Sequence, residues 1–446
     1  MTNANPSAQN ASSVLIRGGT VVDASGTRQA DVLVGADGFI EAVGAEGDGT
    51  LRGDRTLDAG GCIVSPGFVD LHTHLRQPGK EEAETIETGS RGGALGGFTA
   101  LVAMPNTTPP MDSVGVVREV MELGSTALTH IVPTGAITIG RAGDELAPMA
   151  ELAELGVRIF TDDGTGVQDD LLMKRALEYS VGMAPFTGGA SVALAQHCEV
   201  NSLSDGTFMH EGEWSSRLGI PGQPSEAEDL MVMRDIALSR STGARVHFQH
   251  LSTAGSVALV RAAKAEGLPV TAEATTHHFT LTDAACASFD TVFKVHPPLR
   301  TDKDVAAIKA GLLDGTIDAI ATDHAPHCAH DKEQPFDAAP PGMIGLETAL
   351  ALALTELELP VEKVVGLMSW QPARIAGIGD THGGPIEAGR PANITVFDPA
   401  ETWTIDSTAF ASKSTNCPYE GHEVKGKVRH TIVDGEAVVI DQEATR

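Results

Sequence analysis

Positive charge is in short supply in this chain: 31 Lys and Arg stand against 60 Asp and Glu, a formal net charge of −29. So acidic a surface repels polyanions and argues against nucleic acid or an anionic membrane as a partner. An anionic substrate would need cations placed inside its site. Aromatic residues are scarce at 4%, against 49 glycines, so packing falls to small and branched side chains joined by tight turns. Cysteine is sparse. Cys62, Cys198, Cys286, Cys328 and Cys417 are odd in number and never spaced Cys-x-x-Cys, which argues against a disulfide framework and a cysteine zinc site. No uncharged apolar run is long enough to span a bilayer. The N-terminus, MTNANPSAQNASS, lacks the basic start and apolar core of a signal peptide, and a reducing cytoplasm is expected.

What is present is ample core material: 446 residues, 41% of them hydrophobic, enough for a barrel plus a second unit. Residues 14–64 alternate short apolar runs with Gly or Asp turns, and 392–440 read the same way. Neither end has enough strands to close a core alone, so the two are expected to combine. The expected division is a disordered tail over 1–13, a small β-sandwich domain from 14–66 and 380–446, and a barrel over 67–379. Within the barrel, apolar β-type runs alternate with amphipathic stretches. Strands are predicted at Phe68–Leu71, Thr99–Ala103, Leu128–Pro133, Val157–Phe160, Ser191–Ala195, Arg245–Gln249, Pro269–Ala272 and Ala319–Thr322. Helices are predicted at Asp144–Leu155, Leu171–Tyr179, Ala227–Ser239 and Thr253–Glu266. Eight strands in βα alternation predict an α/β fold, a (β/α)8 TIM-like barrel. No Gly-x-Gly-x-x-Gly follows the first strand to suggest a dinucleotide site. Asn201–Ser225 and His327–Gly345 are long irregular stretches of the kind that carry function.

Barrel active sites lie at the C-terminal ends of the strands. Those ends carry His72 and His74 (strand one), Asp162 and Asp163 (four), His197 (five), His250 (six) and Asp323 (eight). His72 and His74, two apart on a strand, project to one side. His247 and His324 fall beside this set and are expected to pack or orient it. Four histidines with two carboxylates are too many for one tetrahedral zinc with an open position. They suit two metals sharing one carboxylate and one water, whose pKa would fall towards neutrality. Spacing leaves open whether Asp162 or Asp163 bridges. The chemistry indicated is hydrolysis, or its reverse, at an amide-like carbonyl.

Six segments carry a resemblance: Gly67–Arg76 (Gly-Phe-Val-Asp-Leu-His-Thr-His-Leu-Arg), Met104-Pro-Asn106, Phe160-Thr-Asp-Asp-Gly164, His197-Cys-Glu199, His250-Leu-Ser-Thr253 and Ile320-Ala-Thr-Asp-His-Ala-Pro-His327. Together they resemble the class I dihydroorotases of the amidohydrolase superfamily, over nearly the whole chain. The resemblance implies reversible cyclisation of N-carbamoyl-L-aspartate to L-dihydroorotate in pyrimidine synthesis. It implies two Zn2+ per chain bridged by Asp163 and a hydroxide, one ion held by His72, His74 and Asp323, the other by His197 and His250. Asp323 would move the proton. The anionic substrate would meet His74, Arg76, Asn106, His296, His327, Pro341 and Gly342. A homodimer and an association with aspartate carbamoyltransferase are further expectations.

Three departures stand out. His296 occupies a position where the family usually has asparagine; Gly182–Gly189 reads as an insertion; Pro340-Pro-Gly-Met lacks the phenylalanine common before the glycine. The rival enzymatic reading is a dihydropyrimidinase, hydantoinase or allantoinase. Many such relatives carry a bridging lysine, and Val157–Gly166 has none. A non-catalytic homologue scaffolding aspartate carbamoyltransferase is the other alternative, but the complete ligand set argues against it.

Overall fold

The computed structural model describes residues 12–47 and 49–446. Residues 1–11 of the expected tail lie outside the described residues. Ser13, the last of that stretch, is instead anchored: its backbone N–H and hydroxyl donate to Asp54 at 2.9 and 2.8 Å.

Five strands lead in: β1 (Val14–Asp23), β2 (Gly26–Val34), β3 (Ile40–Ala45), β4 (Arg55–Asp58) and β5 (Ile63–Pro66). The barrel strands follow as β6 (Phe68–Thr73), β7 (Phe98–Ala103), β8 (His130–Pro133), β9 (Ile159–Thr161) and β10 (Ala193–Gln196). A two-residue pair, β11 (Met209–His210) and β12 (Gly222–Gln223), interrupts them before β13 (Val246–Phe248), β14 (Val270–Thr275) and β15 (Ala319–Ala321). The chain ends in β16 (Ile394–Thr404), β17 (Glu423–Val433), β18 (Glu436–Ile440) and β19 (Glu443–Ala444).

The barrel strands pair in parallel in two runs, β6-β7-β8 and β15-β14-β13-β10-β9. Bridges Thr73↔His324 and Gly135↔Phe160, also parallel, join the runs at both seams and close the ring. Its apolar core continues from Phe68, Phe98, Phe160 and Phe248 into the outer helices at Leu350 and Val364. The terminal strands form a nine-stranded sheet, β19-β18-β17-β16-β5-β1-β2-β3 with β4 on β1. Its centre is the antiparallel pairing of β5 with β16, which ties the first sixty-odd residues to the last fifty-odd. A register shift in β1 between Ile16 and Gly19 lets its first half pair with β4 and its second with β5. Val14, Ile16, Val21, Val32, Ile40, Val64, Ile394 and Val396 pack into the core so enclosed.

The helix expected from Asp144 begins only at Met149. Pro148 holds the position before it in a non-helical conformation, and the preceding loop is pinned elsewhere, with the N–H groups of Ile137 and Thr138 donating to Asp162. The stretch 201–225 is ordered by helices Asn201–Ser204 and Glu213–Leu218 around the β11–β12 pair, and Ala329–Lys332 forms one helical turn after β15. The segment 182–189 contains a 3-10 turn, Ala184–Phe186, and feeds the N-terminal end of β10, opposite the strand ends that carry the histidines.

Candidate active site

At the C-terminal ends of the barrel strands, Asp163 lies at the centre of a ring of imidazoles. Its Oδ1 is 3.2 Å from His72 Nε2, 3.5 Å from His197 Nδ1 and 3.6 Å from His250 Nε2; its Oδ2 is 3.5 Å from His74 Nε2. Asp323 Oδ1 closes the other side, 3.1 Å from His74 Nε2 and 3.6 Å from His72 Nε2. All six expected ligands are thus brought together, and all six are buried. The local backbone is unusual: His250 and Asp323 adopt φ of 33° and 46°, left-handed values that cost a non-glycine residue energy.

The adjacent aspartates divide. Asp162 turns away to accept from Ile137 N (2.8 Å), Thr138 N (3.1 Å) and the Thr138 hydroxyl, fixing the loop after β8. Only Asp163 faces the histidines.

Two of the histidines, His72 and His197, are oriented from behind by carboxylates that strand-end reading missed. Glu273 on β14 joins His72 Nδ1 (2.9 Å) to His247 Nε2 (3.0 Å). Glu199 receives His197 Nε2 at 2.9 Å and the Gln223 amide at 2.7 Å. Carboxylates behind metal-binding imidazoles fix the tautomer and aim the other nitrogen. Glu273 was legible in principle, as a lone acid inside the apolar run Val-Thr-Ala-Glu-Ala; Glu199 stood inside a quoted motif without a role. His324, as expected, packs beside the set, its Nε2 3.3 Å from buried Glu84 and its Nδ1 accepting from Gly345 N.

The donor set fits divalent metal. His72 Nε2 and Asp163 Oδ1 are buried without a hydrogen-bond partner, and His197 Nδ1 faces His250 Nε2 at 2.9 Å. Two converging imidazole nitrogens and an orphaned carboxylate oxygen match the nitrogen and oxygen donors of zinc. The electrostatics agree. Burial alone would lower His72 and His197, but neighbouring carboxylates reverse this: Asp163 and Asp323 raise His72 well above its usual value, and Glu199 and Asp163 carry His197 up to about 10. Burial would raise Asp163, yet His72 and the other imidazoles hold it well below the carboxylate range. The pocket's field calls for positive charge. His74 is the exception, lowered by burial with Arg76 acting in the same sense.

A second group of polar residues adjoins the cluster. Asn106 spans His74 Nδ1 (2.9 Å) and Asp163 Oδ2 (3.3 Å). β6 ends at Thr73 and Arg76 takes φ 60°, so Arg76 reaches the site from a loop. Its Nε donates to Pro326 O (3.0 Å) and its Nη2 lies 3.3 Å from His327 Nε2. His327 Nε2 is also 2.9 Å from Pro341 O, to which it can donate, and burial with Arg76 beside it pushes its pKa down to about 3. Gly342 sits at φ 137°, where a Cβ would come within 2.8 Å of His327 Nε2 and the Ala325 side chain. Two residues outside the expected set hold this loop: Asn416 donates to Ala325 O (3.0 Å) and Gly342 O (3.1 Å), and Lys332 Nζ donates to Pro340 O (2.9 Å) and Gly342 O (3.0 Å). His296 Nδ1 lies 3.5 Å from Glu199 Oε2.

A closed (β/α)8 barrel bearing this histidine–aspartate mouth, with a β domain built from both chain ends, defines a metal-dependent cyclic amide hydrolase of the amidohydrolase superfamily. Solved structures agree on the fold: an L-hydantoinase from Arthrobacter aurescens superposes with a TM-score of 0.85 at 24% identity over 97% of both chains. A dihydropyrimidinase from Brevibacillus agri gives 0.83 at 23%, covering 97% of this chain and 96% of the other. Residues 61–256 match the model of the dihydro-orotase-like family. Dihydroorotases from Pelotomaculum thermopropionicum (47% identical, 96% of this chain and 99% of the relative) and Streptomyces coelicolor (45%, 97% and 100%) align end to end. The chain belongs to the dihydroorotase family.

Proposed function

We propose that this enzyme interconverts N-carbamoyl-L-aspartate and L-dihydroorotate in pyrimidine synthesis, with His72, His74 and Asp323 holding one zinc, His197 and His250 a second, and Asp163 shared between them. The observation that carries this reading is the placement of Arg76 against His327, next to the Asn106–His74–Asp163 chain. A half-buried guanidinium beside the histidine–aspartate cluster suits a substrate that presents a carboxylate next to the scissile amide. Asn106 would bind the same carboxylate. Pro341 and Gly342 would line the remaining wall with backbone groups.

Bound zinc would lower the pKa of a water and polarise the ring carbonyl. Asp323 suits proton transfer: burial would raise its carboxyl, but His72 and His74 hold it well below the usual range, so it is ionised and ready to accept. In the hydrolytic direction the water oxygen bonds to the carbonyl carbon, Asp323 takes the water's proton, the C–N bond breaks, and Asp323 returns that proton to the departing nitrogen. Glu273 and Glu199 keep the imidazoles in the tautomers this requires.

His296, set against Glu199, is assigned to the wall of the substrate pocket nearest His197. We further assign the chain to the cytoplasm as a homodimer, with an aspartate carbamoyltransferase as the partner to test, and divide it at Gly67 and near residue 380 into barrel and β domain. No helix among the described residues is long and apolar enough to cross a membrane.

The deciding assay measures turnover of dihydroorotate, dihydrouracil, hydantoin and allantoin, with and without chelator, alongside metal analysis. Chelator-sensitive turnover of dihydroorotate alone, with two zinc ions per chain, is expected. Preference for hydantoin or dihydrouracil would transfer the chain to the rival reading.

A further inference from the structure

Among the described residues, three groups of side chains bring metal-ligating atoms together, and only two belong to the cluster at the barrel mouth. The third is Cys328, His330 and Asp331, on the segment that leaves the mouth after His327. We propose that these three form a second, separate metal site that takes a borderline divalent cation of the zinc type.

One ligand atom from each of the three lies within 4.8 Å of the other two, and His330 Nε2 is 3.5 Å from Asp331 Oδ1. Modest side-chain rotation brings such atoms onto one ion at zinc–ligand bond lengths of about 2.0–2.3 Å. The local fold supplies the convergence. Cys328 precedes the single helical turn Ala329–Lys332, so the thiol and the side chains two and three residues on gather around the start of that turn. Both ends of the segment are fixed. His327 N donates to Asn416 Oδ1 (3.2 Å), and Lys332 Nζ is held by the carbonyls of Pro340 and Gly342. The ligands are therefore presented by an anchored turn, which lowers the ordering cost of binding.

The donor chemistry selects the ion. A thiolate and an imidazole favour zinc or cobalt over magnesium or calcium, which prefer all-oxygen sites. The charged neighbours agree: burial first, then Asp331 and Glu82, raise the Cys328 thiol, with Lys413 opposing. Lys413 Nζ is itself occupied by Glu81 O. The thiol is therefore protonated without an ion, and binding releases one proton as the S–H bond is exchanged for a sulfur–metal bond. Three protein ligands leave a position for water. Scattered cysteine spacing argued against a cysteine zinc site; this mixed set escapes that reading because its other two ligands are His and Asp.

The test uses Co2+ as the probe on the metal-loaded, full-length protein. The cluster at the mouth contains only nitrogen and oxygen donors, so a sulfur-to-cobalt charge-transfer band in the near ultraviolet reports Cys328 alone. We expect such a band, with release of a proton, reversal by added Zn2+, loss in Cys328→Ser, and weakening of more than about tenfold in apparent affinity in His330→Ala and Asp331→Asn. Thermal melting and turnover unchanged in these variants would confirm that they fold. Absence of the band, its survival in Cys328→Ser, or equal affinity in His330→Ala would overturn the site. The outcome is independent of which cyclic amide the enzyme hydrolyses.

Discussion

Asp162 and Asp163 are neighbours in sequence and opposites in role: one carboxylate caps the Ile137–Thr138 backbone, the other reaches His72, His197 and His250. β9 ends at Thr161, and the turn that follows sends the two side chains to different partners. Asp163→Ala should therefore lose metal and nearly all turnover while melting cooperatively. Asp162→Ala should keep its metal but lose about 1–3 kcal/mol of stability, the cost of orphaning buried donors. Metal content against thermal melting separates the two; equal metal loss in both would refute the division.

Glu273 holds His72 and His247 with one oxygen each, and those imidazoles carry its pKa down to about 2 against the opposing effect of burial. Glu273→Gln should weaken metal affinity by about 10–100-fold, as loss of a group behind a ligand does. Competition with a chromophoric chelator measures this directly.

Arg76 is the half-buried cation beside His327, assigned above to the substrate carboxylate. Arg76→Met should raise KM for dihydroorotate strongly, by about 1.5–3 kcal/mol of lost charge-assisted bonding. Because Arg76 also braces Pro326, Arg76→Lys tests whether charge alone suffices; only partial recovery is expected, since lysine lacks the planar fork. Steady-state kinetics on both variants is the check.

Lys332 clamps the Pro340 and Gly342 carbonyls, and burial together with Lys294 brings its ammonium down to about 7. Lys332→Met should loosen the Pro341–Gly342 wall, raising KM more than it lowers kcat and leaving zinc content intact. A proportional loss of zinc would contradict a role confined to the loop.

Glu347, half-buried, accepts from Ala411 N at 2.7 Å, and desolvation lifts its carboxyl to about 8. The folded chain thus holds a proton that the unfolded chain releases above its ordinary value near 4.5. Stability from this group is full below that value and falls as pH rises towards 8. Melting temperature should drop across this window, and Glu347→Gln should flatten the profile, melting on the order of a few degrees above the parent at pH 8. Parallel profiles would place the sensitivity elsewhere.

How legible was this in the sequence? The barrel and the histidine–aspartate cluster at its mouth were, because each rests on a local signal: apolar runs of strand length, and histidine or aspartate where they end. Asp163 over Asp162 came from family resemblance and not from spacing; the Ile137–Thr138 loop that decides it is distant in sequence. Glu273, Glu199, Asn416 and Lys332 escaped because their roles arise from tertiary contacts across other strands and loops. Arg76 came from family resemblance; it stands beyond the end of β6 at Thr73 and arrives by a left-handed turn that no strand period foretells.

The pairing of β5 with β16 has a consequence for biosynthesis. Ile63 meets Phe397 and Pro66 meets Ile394, so one edge of the leading strands finds its neighbour only after more than three hundred further residues have been made. The barrel lies between and can close first. Until then, Ile63 and Val64 emerge from the ribosome with an open, apolar edge, the kind of surface that chaperones shield. The last step of maturation is thus the arrival of the C-terminal strands, and a lesion in β16 or β17 should reduce soluble yield before it touches catalysis.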